Sequence, residues 1–227
     1  MQLLTERELH SSFVVANCAM NRERQLSGSN GYERELRIEI LSFLRSQSSP
    51  VTRVDLCCGS GRALLEAAAI LAETGETERF HIEGIDLAGL FHPNPYSGLL
   101  ALREEGIESW RPIAQYALVT CVHGLHYVGD KLSAIAKAVG SLAPRGLFIA
   151  NVDLANFRLP DGKPAGRTVA SRLRRSGLVY DAKRRLIRCV GPRQLRIGLS
   201  YLGADDKIGP NYTGQSAVDS YYDLSPF

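Results

Sequence analysis

The chain has 227 residues, of which 44% are apolar and 22% charged, and its formal net charge is +3 at pH 7. This length fits one α/β domain and leaves too few residues for a second full domain. The apolar run at residues 13–20 is far shorter than the roughly 20 residues of a membrane helix, so we expect no membrane segment and a cytoplasmic protein. The cysteines lack paired metal-ligand spacing, which predicts reduced thiols and no metal site; they are Cys18, Cys57, Cys58, Cys121 and Cys189.

Residues 33–44 predict one amphipathic helix, because apolar side chains recur there at helical spacing. A turn at residues 47–50 ends this helix just before the first strand. The glycine-rich segment at residues 27–32 precedes it and is either an ordinary loop or a hinge.

A strand, a turn of small residues and a helix follow one another at residues 53–72. The run 53–57 is extended and contains Asp55, and Gly59 and Gly61 allow the backbone to turn tightly. Ser60 or Gly61 then opens an alanine-rich helix, whose first N–H groups have no partner within the helix. Such a turn favours binding of a nucleotide-type ligand.

Four further segments have the pattern of a parallel sheet. Residues 81–87 read as a buried strand that places Asp86 to accept hydrogen bonds from ribose hydroxyls; a helix cap or a loop aspartate is the alternative. A third strand is predicted near residues 99–102, a fourth at 116–122 and a fifth after the turn at 142–146. Asp130 is predicted to cap the helix between the last two strands.

Segments 53–62, 81–87, 116–128 and 142–150 resemble, in this order, motifs of the class I S-adenosylmethionine-dependent methyltransferases. The resemblance covers about residues 36–153 and departs from the family at Cys57, where a glycine is usual, and at Ala117, where an acid is usual. Cys57 is expected to avoid a positive φ. The fold implied is α/β: a single doubly wound, mostly parallel Rossmann-like sheet with an antiparallel C-terminal edge. Residues 1–50 would form a helical lid, and residues 51–227 the cofactor-binding core.

The resemblance implies an enzyme that uses S-adenosyl-L-methionine to methylate an oxygen, nitrogen or activated carbon of a small or medium-sized metabolite. His123 and His126 follow the fourth strand, beside the expected position of the methyl group, and are candidate bases; packing at the strand-to-helix corner is the alternative. NAD-dependent dehydrogenases are disfavoured because the three-glycine fingerprint is incomplete. The implied cofactor-binding residues are Tyr32, Asp55, Cys57, Gly59, Ser60, Gly61, Asp86, Leu87, Ile107, Glu108 and Val122.

The C-terminal third is basic. Residues 158–196 contain twelve Lys or Arg against two acids, which suits either an RNA partner or a solvated helix with edge strands at 185–189 and 194–197. Tyr212, Tyr221 and Tyr222 either close an acceptor pocket or dock the tail on the core. An RNA methyltransferase and a non-catalytic cofactor-binding regulator therefore stay as alternatives. The oligomeric state is left open, with a homodimer as one alternative.

Overall fold

The computed structural model describes residues 2–16 and 23–224. Cys18 lies outside these residues. The helices are α1 (Glu6–His10), α2 (Phe13–Ala16), α3 (Tyr32–Leu36), α4 (Ile40–Arg45), α5 (Arg62–Glu73), α6 (Lys131–Gly140) and α7 (Gly166–Arg175). The strands are β1 (Val51–Leu56), β2 (Phe80–Asp86), β3 (Leu100–Glu104), β4 (Tyr116–Cys121), β5 (Leu142–Asn151), β6 (Phe157–Arg158), β7 (Val179–Asp181), β8 (Leu186–Val190), β9 (Leu199–Asp205) and β10 (Asp219–Leu224).

Seven strands form one sheet in the order β3-β2-β1-β4-β5-β8-β7. Strands β1 to β5 run parallel to their neighbours, whereas β8 is antiparallel to both β5 and β7. The predicted doubly wound, mostly parallel sheet with an antiparallel C-terminal edge is therefore confirmed. A parallel sheet of this kind binds ligands beyond the carboxyl ends of its strands, where the strand order reverses between β1 and β4.

Helices cover both faces of the sheet because successive strand residues point to opposite sides. Val119 and Phe148 pack with α6 and α7 in one apolar cluster. Their neighbours Leu118 and Ile149 pack with α3, α4 and α5 in the other. Asp130 caps α6 as predicted, with its carboxylate accepting the Ser133 N–H at 3.0 Å.

The two ends of the chain meet beside the main sheet. Strands β6, β10 and β9 form a small second sheet, and Leu4 pairs with Ala204 at its edge. Leu9 and Val15 pack against Val218 in a separate apolar cluster. This arrangement holds α1 and α2 near the carboxyl ends of β1 and β4. No helix of the described residues has the length and apolar character that crossing a bilayer demands.

Two predicted elements are wrong. The helix expected at residues 33–44 is broken into α3 and α4, because Arg37 is left-handed at φ 57° and the Glu33 carboxylate accepts the Ile40 N–H that restarts the helix. Residues 194–197 are not a strand. Pro192 lies just after β8, and the Arg172 guanidinium binds the Ile197 carbonyl at 2.5 Å. The strand that pairs with β8 at the sheet edge is β7.

Candidate functional site

The glycine turn between β1 and α5 is joined to the end of β2 by the carboxylate of Asp86. Gly59 and Gly61 have φ values of 62° and 77°, as a tight turn of this kind requires. The Gly59 N–H donates to Asp86 Oδ2 at 2.9 Å, and the Ala88 N–H donates to Oδ1 at 3.0 Å. These two bonds fix the carboxylate at the sheet edge beside the turn.

Cys57 contradicts the expectation of a negative φ, since its φ is 60°. A left-handed conformation costs a residue with a Cβ atom roughly 1–2 kcal/mol, and glycine would adopt it without strain. Strain of this kind is often retained at functional sites. The cysteine side chain is therefore the feature that distinguishes this turn from a glycine-rich one.

A cavity of about 280 Å³ opens beside this turn. Leu56, Ile85, Leu87 and Ile107 supply apolar walls, and Asp86 supplies a carboxylate. Five of the eleven predicted cofactor residues line this cavity, namely Cys57, Asp86, Leu87, Ile107 and Glu108.

The other predicted site residues lie outside the cavity lining. Val122 packs into the apolar cluster with α3 to α5, and its role as a cofactor contact stays a prediction. The remainder are also not among the residues that line it; they are Tyr32, Asp55, Gly59, Ser60, Gly61, His123 and His126.

Asp55 is fully buried and serves the scaffold around the turn. Its carboxylate accepts the Tyr32 hydroxyl at 2.8 Å and the Thr120 hydroxyl at 2.5 Å. Burial raises the pKa of Asp55 to about 6, although the Arg53 charge and the two hydroxyls oppose that shift. Arg53 is equally buried, and none of its guanidinium nitrogens finds a hydrogen-bond partner among the described residues. Tyr32 is buried and fastens α3 to β1, and its role as a cofactor contact stays a prediction.

Helix α1, which belongs to the helical lid predicted at residues 1–50, lies along one side of the cavity. Glu6 and His10 line it, and His10 Nε2 lies 3.2 Å from Glu108 Oε2. Donor atoms of these three side chains lie within 4.8 Å of one another, a set that a cation could use. Within the protein, however, Glu6 also accepts the Asp130 N–H at 2.5 Å, and His10 pairs with Glu108.

A second polar cluster surrounds His123, one residue from the cavity wall at Gly124. His123 Nε2 lies 3.1 Å from Glu35 Oε2, and its Nδ1 lies 3.5 Å from the Tyr212 hydroxyl and 3.4 Å from His126 Nε2. The Arg185 guanidinium stacks 4.0 Å above the Tyr212 ring. We assign the His123 proton to Nε2, because the Glu35 carboxylate can only accept. Nδ1 is then the basic atom.

The two histidines differ in their surroundings. Burial, together with the nearby His123, Lys131 and Arg185, lowers the pKa of His126 to about 3, so His126 is neutral. The hydrogen bond between His123 and Glu35 lowers the pKa of Glu35, which keeps that carboxylate ionised. An ionised carboxylate on one imidazole nitrogen and an unprotonated nitrogen on the other form an arrangement suited to a general base.

Comparisons with known proteins give structural likeness only. No protein-family model matches the chain, and no curated protein matches it. The amino pentose methyltransferase CalS10 from Micromonospora echinaspora is 18% identical, with a TM-score of 0.41 over 60% of this chain and 55% of that one. The N-methyltransferase NodS from Bradyrhizobium japonicum is 15% identical, with a TM-score of 0.39 over 86% of this chain and 97% of that one. DesVI from Streptomyces venezuelae is 19% identical, with a TM-score of 0.38 over 58% and 53% of the two chains. The chain thus spans about half the length of CalS10 and DesVI.

Proposed function

We propose that this protein is an S-adenosyl-L-methionine-dependent methyltransferase that acts on a small or medium-sized molecule. The observation that carries the proposal is the cavity at the strand-order reversal, with Asp86 at the end of β2 and the glycine turn of β1 on either side of it. This is the position at which doubly wound sheets bind nucleoside cofactors. It also holds the sequence motifs that resemble the methyltransferase family.

The residues around the cavity suit the nucleoside half of the cofactor. The Gly59 and Ala88 N–H groups hold the Asp86 carboxylate at the carboxyl end of β2, where an acid accepts hydrogen bonds from ribose hydroxyls in doubly wound sheets. Leu87 and Ile107 offer apolar surface to a purine ring, and Glu108 offers an acceptor for its amino group. When bound, the cofactor would supply an electrophilic methyl group.

His123 would prepare the acceptor. Glu35 holds the ring through Nε2, so Nδ1 points its lone pair toward the Tyr212 hydroxyl. We propose that a hydroxyl of the acceptor takes the position of the Tyr212 hydroxyl and gives its proton to Nδ1. The Glu35 carboxylate would stabilise the imidazolium that forms. A neutral hydroxyl is a weak nucleophile, so an oxygen acceptor would need such a base.

The basic region supports the RNA alternative less well. Its arginines largely bind the protein itself: Arg158 pairs with Asp219, Arg185 lies 3.5 Å from Asp153, and Arg188 binds the Leu36 carbonyl. The regulator alternative predicts cofactor binding without turnover. A search for acceptors in a metabolite mixture, using cofactor with a deuterium-labelled methyl group and mass spectrometry, separates it from an enzyme.

Calorimetric titration tests the cofactor site directly. We expect S-adenosylhomocysteine to bind and NAD to be ignored; the reverse result would overturn the proposal. Asp86→Ala should weaken S-adenosylhomocysteine binding by roughly 1.5–3 kcal/mol, the scale of hydrogen bonds to a charged group.

Two controls accompany this titration. The melting temperature without ligand shows whether the loss of the Gly59 and Ala88 bonds has unfolded the turn. Glu78 is exposed and lies just before the amino end of β2, so the Glu78→Gln variant should bind S-adenosylhomocysteine like the parent protein.

A further inference from the structure

Two thiols lie close together beside the cavity, one at the end of β4 and one directly after β1. Cys121 is the last residue of β4, Cys57 follows the end of β1, and both belong to the apolar cluster on the α6 side of the sheet. A Cβ atom on Gly124 would lie 2.9 Å from each of the two sulfur atoms, so the sulfurs are separated by at most twice that distance. Gly124 leaves the space between them open. A disulfide requires the two sulfurs to close to about 2.05 Å.

The two thiols differ in access, as a reactive and a resolving cysteine must. Cys57 is partly exposed and lines the cavity, whereas Cys121 is fully buried behind it. Cys57 also has a left-handed backbone conformation, which glycine would adopt without strain. The thiol is therefore present at an energetic cost. Cys58 is a natural comparison, because its side chain packs on the opposite face of the sheet and burial raises the pKa of its thiol well above the usual value.

We propose that Cys57 and Cys121 form a reversible disulfide when the protein meets hydrogen peroxide. The Cys57 thiolate attacks one peroxide oxygen, the O–O bond breaks, and water leaves with the thiol proton, giving a sulfenic acid. The Cys121 thiolate then attacks the Cys57 sulfur, the S–S bond forms, and the hydroxyl leaves as a second water. Two thiols and one peroxide thus give one disulfide and two waters.

Peroxide treatment followed by non-reducing peptide mapping tests the proposal on the full chain. We expect a cross-linked peptide that joins Cys57 to Cys121 and is released by dithiothreitol. Cys58→Ser should give the same cross-link, whereas Cys121→Ser should carry Cys57 on to the sulfinic acid. A parent protein whose Cys57 reaches the sulfinic acid without a cross-link, or whose Cys58 pairs as readily, overturns the proposal.

A second readout rests on the proposed function. Saturating S-adenosylhomocysteine should slow the cross-link about tenfold or more, because a ligand in the cavity covers Cys57. The cross-link itself is measured without any ligand, so the two ideas fail separately. Cross-linking at an unchanged rate would count against nucleoside binding in this cavity and would leave the disulfide established.

Discussion

Replacing Tyr32 with phenylalanine tests the buried network that holds α3 against β1. The change removes one of two hydroxyl donors from the Asp55 carboxylate, at a distance of 2.8 Å, and leaves the apolar ring in place. A hydrogen bond to a buried charged group contributes roughly 1.5–3 kcal/mol, so the free energy of unfolding should fall by about that amount at about pH 8. For a chain of this length the melting temperature should fall by about 4–10 °C.

The pH dependence distinguishes this mechanism from lost packing. The pKa of Asp55 is about 6 in the folded protein, above its ordinary value, so the folded state binds a proton that the unfolded state releases. Stability therefore declines as pH rises through this window, and the hydroxyl matters most where Asp55 is ionised. At about pH 5 the loss caused by Tyr32→Phe should shrink to roughly 1 kcal/mol, the value of a neutral hydrogen bond.

Chemical denaturation at the two pH values measures both losses. Tyr96→Phe serves as the matched control, because the Tyr96 hydroxyl makes no hydrogen bond recorded among the described residues, and it should leave stability within about 0.5 kcal/mol of the parent. Equal losses for Tyr32→Phe at both pH values would refute the link to the Asp55 charge.

Other predictions concern the base and the C-terminal strand. His123→Ala should lower turnover by about 10²–10⁴-fold with cofactor affinity nearly intact, and Glu35→Gln should lower it less, with a shifted pH–rate profile; unchanged turnover in both would remove the base from this cluster. Lys131 is fully buried and donates to the carbonyls of Val128 and Val218 and to the Ser220 hydroxyl, so Lys131→Met should lower the free energy of unfolding by about 3 kcal/mol or more. Urea denaturation measures that loss, and Lys183→Met, at an exposed position, should be neutral.

The sequence predicted the sheet because strand identity depends on local pattern. Apolar runs and a glycine turn define β1, β2, β4 and β5 without knowledge of their neighbours. The break at Arg37 was not predictable in the same way, since arginine carries no signal for a left-handed conformation, and the Glu33 carboxylate that restarts the chain acts through the folded geometry. Strand alternation also matters at the end of β4, where Cys121 and Val122 pack in different apolar clusters; the cofactor role of Val122 stays a prediction.

The partner of the candidate base could not be predicted from local sequence pattern. His123 could be singled out by its place after β4, but Glu35 lies 88 positions away in the sequence and comes to within 3.1 Å of it only after α3 has packed against β5. The same packing buries Tyr32 against Asp55, so α3 carries one residue that fastens the scaffold and another that orients the histidine. A change that loosens Tyr32 should therefore also disturb the Glu35–His123 pair. If Tyr32→Phe lowers turnover beyond its effect on the folded fraction, the two contacts are coupled through this short helix; if turnover per folded molecule is unchanged, they act independently.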